Sequence, residues 1–298
     1  MQYLDKREVL RICRIKVADF PKHHPRVRYR SVKDSAEMGE VMSRELIDVV
    51  QENNREGRPT RAIVPCGPMA WYEPFGRAVN REKVSLRQLT VFHMDECLDW
   101  QGRLLPRNHP LNFRSVMTQV FYGPIDPSLA VPEPQRFWME PDNLKRFREE
   151  FWKAPVDICL GGWGQDGHIA YNQARRDPYS QLTLEELENA ESRIQYNNPD
   201  TVLALAQRNF GASYQLVPPM SCTIGIKECL SARKVRVFSD TGAWKQTAFR
   251  AALFAPPCAE YPMTLLQKHP DAVVTATLET ATHPCSQHPE WEFFGDEK

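Results

Sequence analysis

Val156-Asp-Ile-Cys-Leu160, running directly into Gly161-Gly-Trp-Gly-Gln-Asp166-Gly-His168, is the stretch on which the fold turns. A short apolar run closed by turn residues reads as a buried strand. The glycines behind it are concentrated: four of the chain's fourteen, Gly161, Gly162, Gly164 and Gly167, fall within seven residues. A cluster of that kind implies that something must approach bare backbone at the strand's carboxyl end. Outward from this point the same grammar recurs. Arg61-Ala-Ile-Val-Pro65 predicts a strand entering a Gly67-Pro68 turn, and Leu89–Met94, Ser221–Ile226, Lys234–Phe238 and Ala272–Thr277 predict further strands. Between them lie helical patterns. From Asp34 to Asn54, Met38, Val41, Met42, Leu46, Val49 and Val50 recur at helical spacing, with Asp34 or Ser35 as N-cap. Helices are also expected after Pro68 with Pro74 in the first turn, around Asn112–Phe121, at Asp142–Trp152 and at Ala243–Leu253, with Asp177–Asn198 as a peripheral helical segment. Short apolar strands alternating with helices predict a three-layer α/β fold, Rossmann-like, with a mostly parallel sheet covered on both faces.

The 298 residues carry 38 Lys and Arg against 38 Asp and Glu, a formal charge of zero. That balance argues against bulk nucleic-acid binding, which advertises itself by excess positive charge. No apolar stretch reaches the ~18 residues a membrane span needs, and no secretory signal is evident at the start. The eight cysteines are dispersed without a C-x-x-C pair and read as reduced core thiols of a cytoplasmic protein. The histidines lack the i, i+4 spacing of a helical metal site, so a structural metal is not expected. Residues 1–30 hold nine Lys or Arg against Asp5, Glu8 and Asp19. They read as a solvated arm or a homo-oligomer contact. The expected organisation is a basic arm over 1–34, one α/β domain over 35–280 and a tail over 281–298.

In such sheets ligands bind beyond the carboxyl ends of the strands. There the sequence places Cys66-Gly67-Pro68, Asp95-Glu96 and the Gly161–His168 segment. Each alone has a plainer explanation: a carboxylate pair serves as a helix cap or ion-pair partner, and a histidine after a glycine turn as a capping or core residue. Together, with Asp166 placed to orient the imidazole of His168, they form a candidate general acid/base site.

Phe92-His-Met-Asp95-Glu96-Cys, Asn108-His-Pro-Leu-Asn-Phe113 and Leu160-Gly-Gly-Trp-Gly-Gln-Asp166-Gly-His168-Ile-Ala-Tyr-Asn172 resemble the signature segments of glucosamine-6-phosphate deaminases. Their superfamily includes the 6-phosphogluconolactonases, which share the Asp-Gly-His element. The resemblance runs from about residue 35 to 280 and takes in Thr241-Gly-Ala-Trp-Lys245. It implies a cofactor-independent isomerase/deaminase acting on an amino-sugar phosphate. Asp95 matches the base that moves a proton between C2 and C1, His168 the residue that opens the sugar ring, and Asp166 its orienting partner. Arg208 and Lys245 match the cations around the phosphate. Cys66, Gly67, Glu96, Gly162, Gly164 and Asn172 complete the implied surroundings of the substrate.

Two departures stand out. The family follows its asparagine with glutamate, whereas Asn172 is followed here by Gln173, which cannot ionise. The family's hydroxyl-bearing phosphate loop is reduced to Pro65-Cys66-Gly67-Pro68, and its two prolines offer no N–H. Two alternatives stay open: a sugar-phosphate lactonase, in which the histidine deprotonates water, and a non-catalytic sugar-phosphate-binding module.

Overall fold

The computed structural model describes residues 3–174, 179 and 181–295. Its frame is a seven-stranded sheet built from β1 (Arg28–Val32), β2 (Thr60–Val64), β3 (Leu89–His93), β5 (Arg136–Phe137), β6 (Ile158–Gly162), β9 (Lys234–Ser239) and β10 (Ala272–Thr277). The spatial order is β1-β10-β9-β6-β2-β3-β5 and every pairing is parallel. A second sheet, antiparallel and three-stranded, contains β4 (Asp95–Leu98), β8 (Met220–Thr223) and β7 (Arg193–Tyr196) in the order β4-β8-β7.

Alternation along each central strand divides the apolar side chains between two cores. Ala62, Val64, Val91, Ile158 and Leu160 face one way and pack under the helices Ser35–Arg55 and Tyr72–Glu82. Ile63, Phe92, Cys159, Val235 and Val237 face the other way, against Ile12, Phe147, Phe151 and Phe249. The long helix starts where the sequence places it: the Asp34 carboxylate accepts from the Glu37 N–H at 3.0 Å. Its stripe of Met38, Met42, Leu46, Val49 and Val50 is buried. Burial of apolar surface at roughly 25 cal/mol per Å² is what holds such layers together.

The basic N-terminal stretch contains ordered structure. Helix Lys6–Arg14 buries Ile12 and Cys13, and β1 is an edge strand of the main sheet. Arg28 pairs with Asp271, and Arg30 with Glu45 at 3.2 Å. Charge on an edge strand discourages pairing with another chain.

Two of the expected segments take another form. Ser221–Ile226 is not a strand of the parallel sheet: the strand is Met220–Thr223, it pairs antiparallel, and Ile226 already opens a helix. Among the described residues of the expected helical segment Asp177–Asn198 only Leu184–Glu188 is α-helical, and Arg193–Tyr196 is β7. Residues 177, 178 and 180 of that segment lie outside the described residues.

The shortest connection between the two sheets is a single residue, Met94, between β3 and β4. The Met94 N–H donates to Val64 O at 3.0 Å in the parallel sheet, and its carbonyl accepts from Ile224 N at 2.9 Å beside the antiparallel one. Asp95 follows immediately, so the small sheet presents it over the carboxyl ends of the large one.

Candidate active site

A cavity of about 370 Å³ opens at the carboxyl ends of β2, β6 and β9. Gly67, Asp95, Gly162, His168, Arg208 and Lys245 all line it.

The floor is the loop after β2, whose Gly67-Pro68 peptide is cis. The Tyr72 hydroxyl reaches back to it, 2.8 Å from Pro65 O and 2.6 Å from Cys66 O. Gly162 lies against this loop. A Cβ there would stand 3.3 Å from Gly67 O, tighter than ordinary packing. Cys66 does not line the cavity; it is buried behind the loop, and its thiol is pushed up by desolvation and by the neighbouring Asp95.

Asp95 and Glu96 are adjacent on β4 and therefore face opposite ways. The Asp95 carboxyl turns into the cavity, where burial first and the charge of Glu96 second push it up to about 8. Glu96 turns away from the ligand and is structural. Its Oε1 accepts from the N–H groups of Cys97 at 2.9 Å and Phe113 at 2.7 Å, and its Oε2 from that of Arg114 at 2.7 Å. The expectation that Glu96 meets substrate is corrected by these three bonds, which tie β4 to the helix Phe113–Met117. Burial still pushes its carboxyl up to about 7.

The loop after β6 is folded around an imidazole. Gly167 turns the chain at φ +74°, and Asp166 accepts from the backbone N–H of His168 at 3.2 Å and lies 2.5 Å from its Nδ1. That leaves Nε2 as the ring nitrogen available to a ligand. Gly164 makes room for the ring, because a Cβ at that position would fall within the imidazole itself. The glycine thus shapes the histidine's seat and does not line the cavity. Gln173 stands behind the ring. Its Oε1 accepts from Asn198 N at 2.8 Å, which orients the amide so that Nε2 donates to the Thr201 hydroxyl and lies 3.1 Å from His168 Nδ1. Asn172, expected near the substrate, is fully buried instead. It donates to Ile169 O at 3.0 Å and Ile224 O at 2.8 Å and accepts from Arg193 at 2.9 Å.

The opposite end of the cavity is cationic. Arg208 comes from the helix Pro199–Asn209 and Lys245 from the turn before the helix Gln246–Phe254. Both lie over the ring of Trp244, at 4.9 and 5.3 Å from its centroid. Burial, reinforced by Arg208, brings the Lys245 ammonium down to about 7. Cavity residues that sequence reasoning missed include Met94, Tyr171, Ser239, Asp240 and Thr241. The signal for the last three was present: they follow the strand Lys234–Phe238, and the strand-end rule applied elsewhere reaches them too. Among the described residues, no group of three or more His, Cys, Asp or Glu is arranged to hold a metal ion.

No family model matches the chain. The glucosamine-6-phosphate deaminase of Mannheimia succiniciproducens is 26% identical over 258 residues, which is 83% of this chain and 89% of that protein. Among solved structures, a monomeric glucosamine-6-phosphate deaminase matches with a TM-score of 0.72 at 20% identity, covering 86% of this chain and 99% of the other. The 6-phosphogluconolactonase from Trypanosoma cruzi matches at 0.58 and 16% identity, over 87% of this chain and 97% of its own. In sequence the chain is thus a divergent relative of the glucosamine-6-phosphate deaminases, and its fold, built on a seven-stranded parallel sheet, is shared with a solved deaminase and a solved 6-phosphogluconolactonase.

Proposed function

We propose that the chain isomerises and deaminates an amino-sugar phosphate without a cofactor. One observation carries the reading: a buried carboxyl and an oriented imidazole, borne on different sheets, face one sugar-sized cavity whose far end holds two cations. His168 Nε2, with Nδ1 held by Asp166, relays the proton from the anomeric hydroxyl to the ring oxygen as the pyranose opens. The Asp95 carboxylate then takes the C2 proton. The electron pair of that C–H bond forms the C1–C2 double bond of the enolamine while the C1 carbonyl oxygen takes up the proton given by the substrate's ammonium, and the same carboxyl returns the C2 proton to C1. The resulting C2 imine is hydrolysed by water, releasing ammonia and leaving a ketose. Arg208 and Lys245 anchor the phosphate, so that C2 rather than another carbon stands at Asp95. No metal is needed for these transfers.

The test is incubation with glucosamine 6-phosphate in deuterated buffer, following loss of the C2 proton signal by NMR together with ammonia release. Exchange that disappears in Asp95→Asn supports the reading. Absence of exchange alongside hydrolysis of 6-phosphogluconolactone would transfer it to a lactonase. That second reading is favoured by one feature, the amide of Gln173 in place of an ionisable group behind His168. A neutral imidazole held by Asp166 suits deprotonation of water.

A further inference from the structure

Another cavity, of about 430 Å³, lies at the outer edge of the main sheet and shares no residue with the catalytic one. It wraps the edge strand β5 and is lined by Arg114, Arg136 and Arg146 together with Asn143. Successive side chains along a strand point to opposite faces. Trp138 accordingly packs against the core beneath the helices Ser35–Arg55 and Tyr72–Glu82, and Phe137 against the core that holds Phe92 and Phe147. Arg136 goes with Trp138: its guanidinium lies 4.0 Å from the ring centroid of Tyr122, in the same core. Arg146, from the helix Leu144–Phe151, lies over Phe137 at 6.0 Å. These two guanidiniums therefore flank the strand, one at each face.

Seating on a ring holds each cation in place without neutralising it. Arg114 lies over Trp138 at 5.1 Å and donates to Glu140 Oε1 at 2.6 Å. Arg136 donates to Val131 O from Nε at 3.1 Å and from one Nη at 2.6 Å, which leaves its other Nη facing outward. Among the described residues neither Arg136 nor Arg146 makes an ion pair, and the single carboxylate lining the cavity, Glu133, is solvent-exposed. The rings themselves are covered. His93 is stacked on Trp138 at 3.7 Å and Phe92 on Phe137 at 5.1 Å, with arginines over the same rings. The cavity thus offers guanidinium edges rather than aromatic planes, and such edges match the paired oxygens of a carboxylate or phosphate. Its volume suits a small molecule, and a strand of two residues is too short to template an extended peptide.

We propose that this cavity is a second ligand site, which takes a small aliphatic molecule with two separated oxyanion groups, one for Arg136 and one for Arg146. The experiment uses the full chain and equilibrium calorimetry at pH 7.5 and low salt. The probes are glutarate, fructose 1,6-bisphosphate and, as a control with its charge on one centre, inorganic phosphate. A two-group probe is expected to bind at least tenfold more tightly than inorganic phosphate. Binding of glutarate alone assigns the site to dicarboxylates, of the bisphosphate alone to phosphate esters, and of both to the shared chemistry. Arg146→Ala, at an exposed helix position, and Arg136→Ala should each weaken the better probe by about tenfold or more, because each removes a charge-assisted pair. Arg208→Ala, in the catalytic cavity, should leave that affinity unchanged, so the outcome is independent of the proposed function. Two-group probes that bind no more tightly than inorganic phosphate would overturn the proposal. So would binding that survives Arg146→Ala undiminished, or that is lost in Arg208→Ala, which would place the probe in the catalytic cavity. Circular dichroism of the variants verifies folding.

Discussion

Replacing Asp95 by asparagine should make the protein more stable and less active at the same time. The carboxyl accepts no hydrogen bond among the described residues, and burial beside Glu96 holds it up to about 8 against an ordinary value of 3.8. The folded state therefore binds a proton that the unfolded state has released over that whole interval. Stability contributed by the group is complete below pH 4 and is lost as pH rises toward 8. At 1.36 kcal/mol per unit, a fully dry carboxyl would cost about 5 to 6 kcal/mol at pH 8. Asp95 keeps part of its surface toward the open cavity, and halving for solvent screening leaves ~2–3 kcal/mol. Asn has nearly the same shape and no charge to desolvate, so Asp95→Asn should recover that amount. For a chain of this size it corresponds to a rise in Tm of about 5 °C at pH 8 and almost none at pH 4. The same substitution removes the proposed C2 base and should reduce exchange by ~100-fold or more. The assay is thermal unfolding of both proteins at the two pH values, with C2 exchange measured in parallel. A Tm difference that does not change with pH, or exchange that survives, would refute the reasoning.

Further substitutions test the surroundings of that base. Gly164→Ala puts a methyl group where the imidazole lies, so C2 exchange and ring opening should fall by ~100-fold while the fold persists at a cost of ~1–3 kcal/mol; an active variant would show that His168 is dispensable. Gln173→Glu places an oxygen in the position of Nε2, 3.1 Å from His168 Nδ1, with the Thr201 hydroxyl able to turn and donate to it. By favouring imidazolium it should raise ammonia release from cyclic glucosamine 6-phosphate by about tenfold, without gain on an open-chain substrate, and a loss would favour the lactonase reading. Glu96→Gln keeps one acceptor oxygen but turns the other into an NH2 that faces a backbone N–H, and should destabilise by ~1.5–3 kcal/mol. It also removes a charge that raises Asp95, so the rising limb of the exchange rate should move to lower pH; a profile that stays in place would place the rate-controlling titration elsewhere.

The five inner parallel strands were legible because each is a short, largely apolar run between turn residues, whereas the edge strands β1 and β5 are not. Ile158–Leu160 and Val235–Phe238 can be buried in no other way. The antiparallel sheet was not. Asp95–Leu98 and Arg193–Tyr196 mix charge with apolar residues, and only pairing with Met220–Thr223 makes them strands. Local pattern is silent about partners supplied from elsewhere in the chain. β1 was hidden for a related reason: its arginines read as part of a basic arm, and only Glu45 and Asp271 explain them. In the site, the rule of strand ends pointed to Gly67, Asp95, Gly162 and His168, all of which stand at one cavity. It could not separate Asp95 from Glu96 by role, nor show that Asn172 and Gly164 serve the loop rather than a ligand. Those distinctions depend on which backbone groups lie nearby in space.

The crossing at Met94 has a consequence for how the protein loses activity. Its N–H belongs to one sheet and its carbonyl to the other, and the loop that carries His168 is bonded to the small sheet as well, through Tyr171 N to the Thr223 hydroxyl and Asn172 to Ile224 O, so the placing of Asp95 against His168 depends on the join between the two sheets. The three short strands have the shorter ladder, and although Leu98 and Cys222 share the core of the seven-stranded sheet, local opening should begin with them. Amide hydrogens of Asp95–Leu98 and Met220–Thr223 should then exchange with solvent before those of Ile158–Gly162. On gentle heating, catalysis would fade in a molecule whose circular dichroism still looks native, because the machinery comes apart along its seam before the scaffold melts.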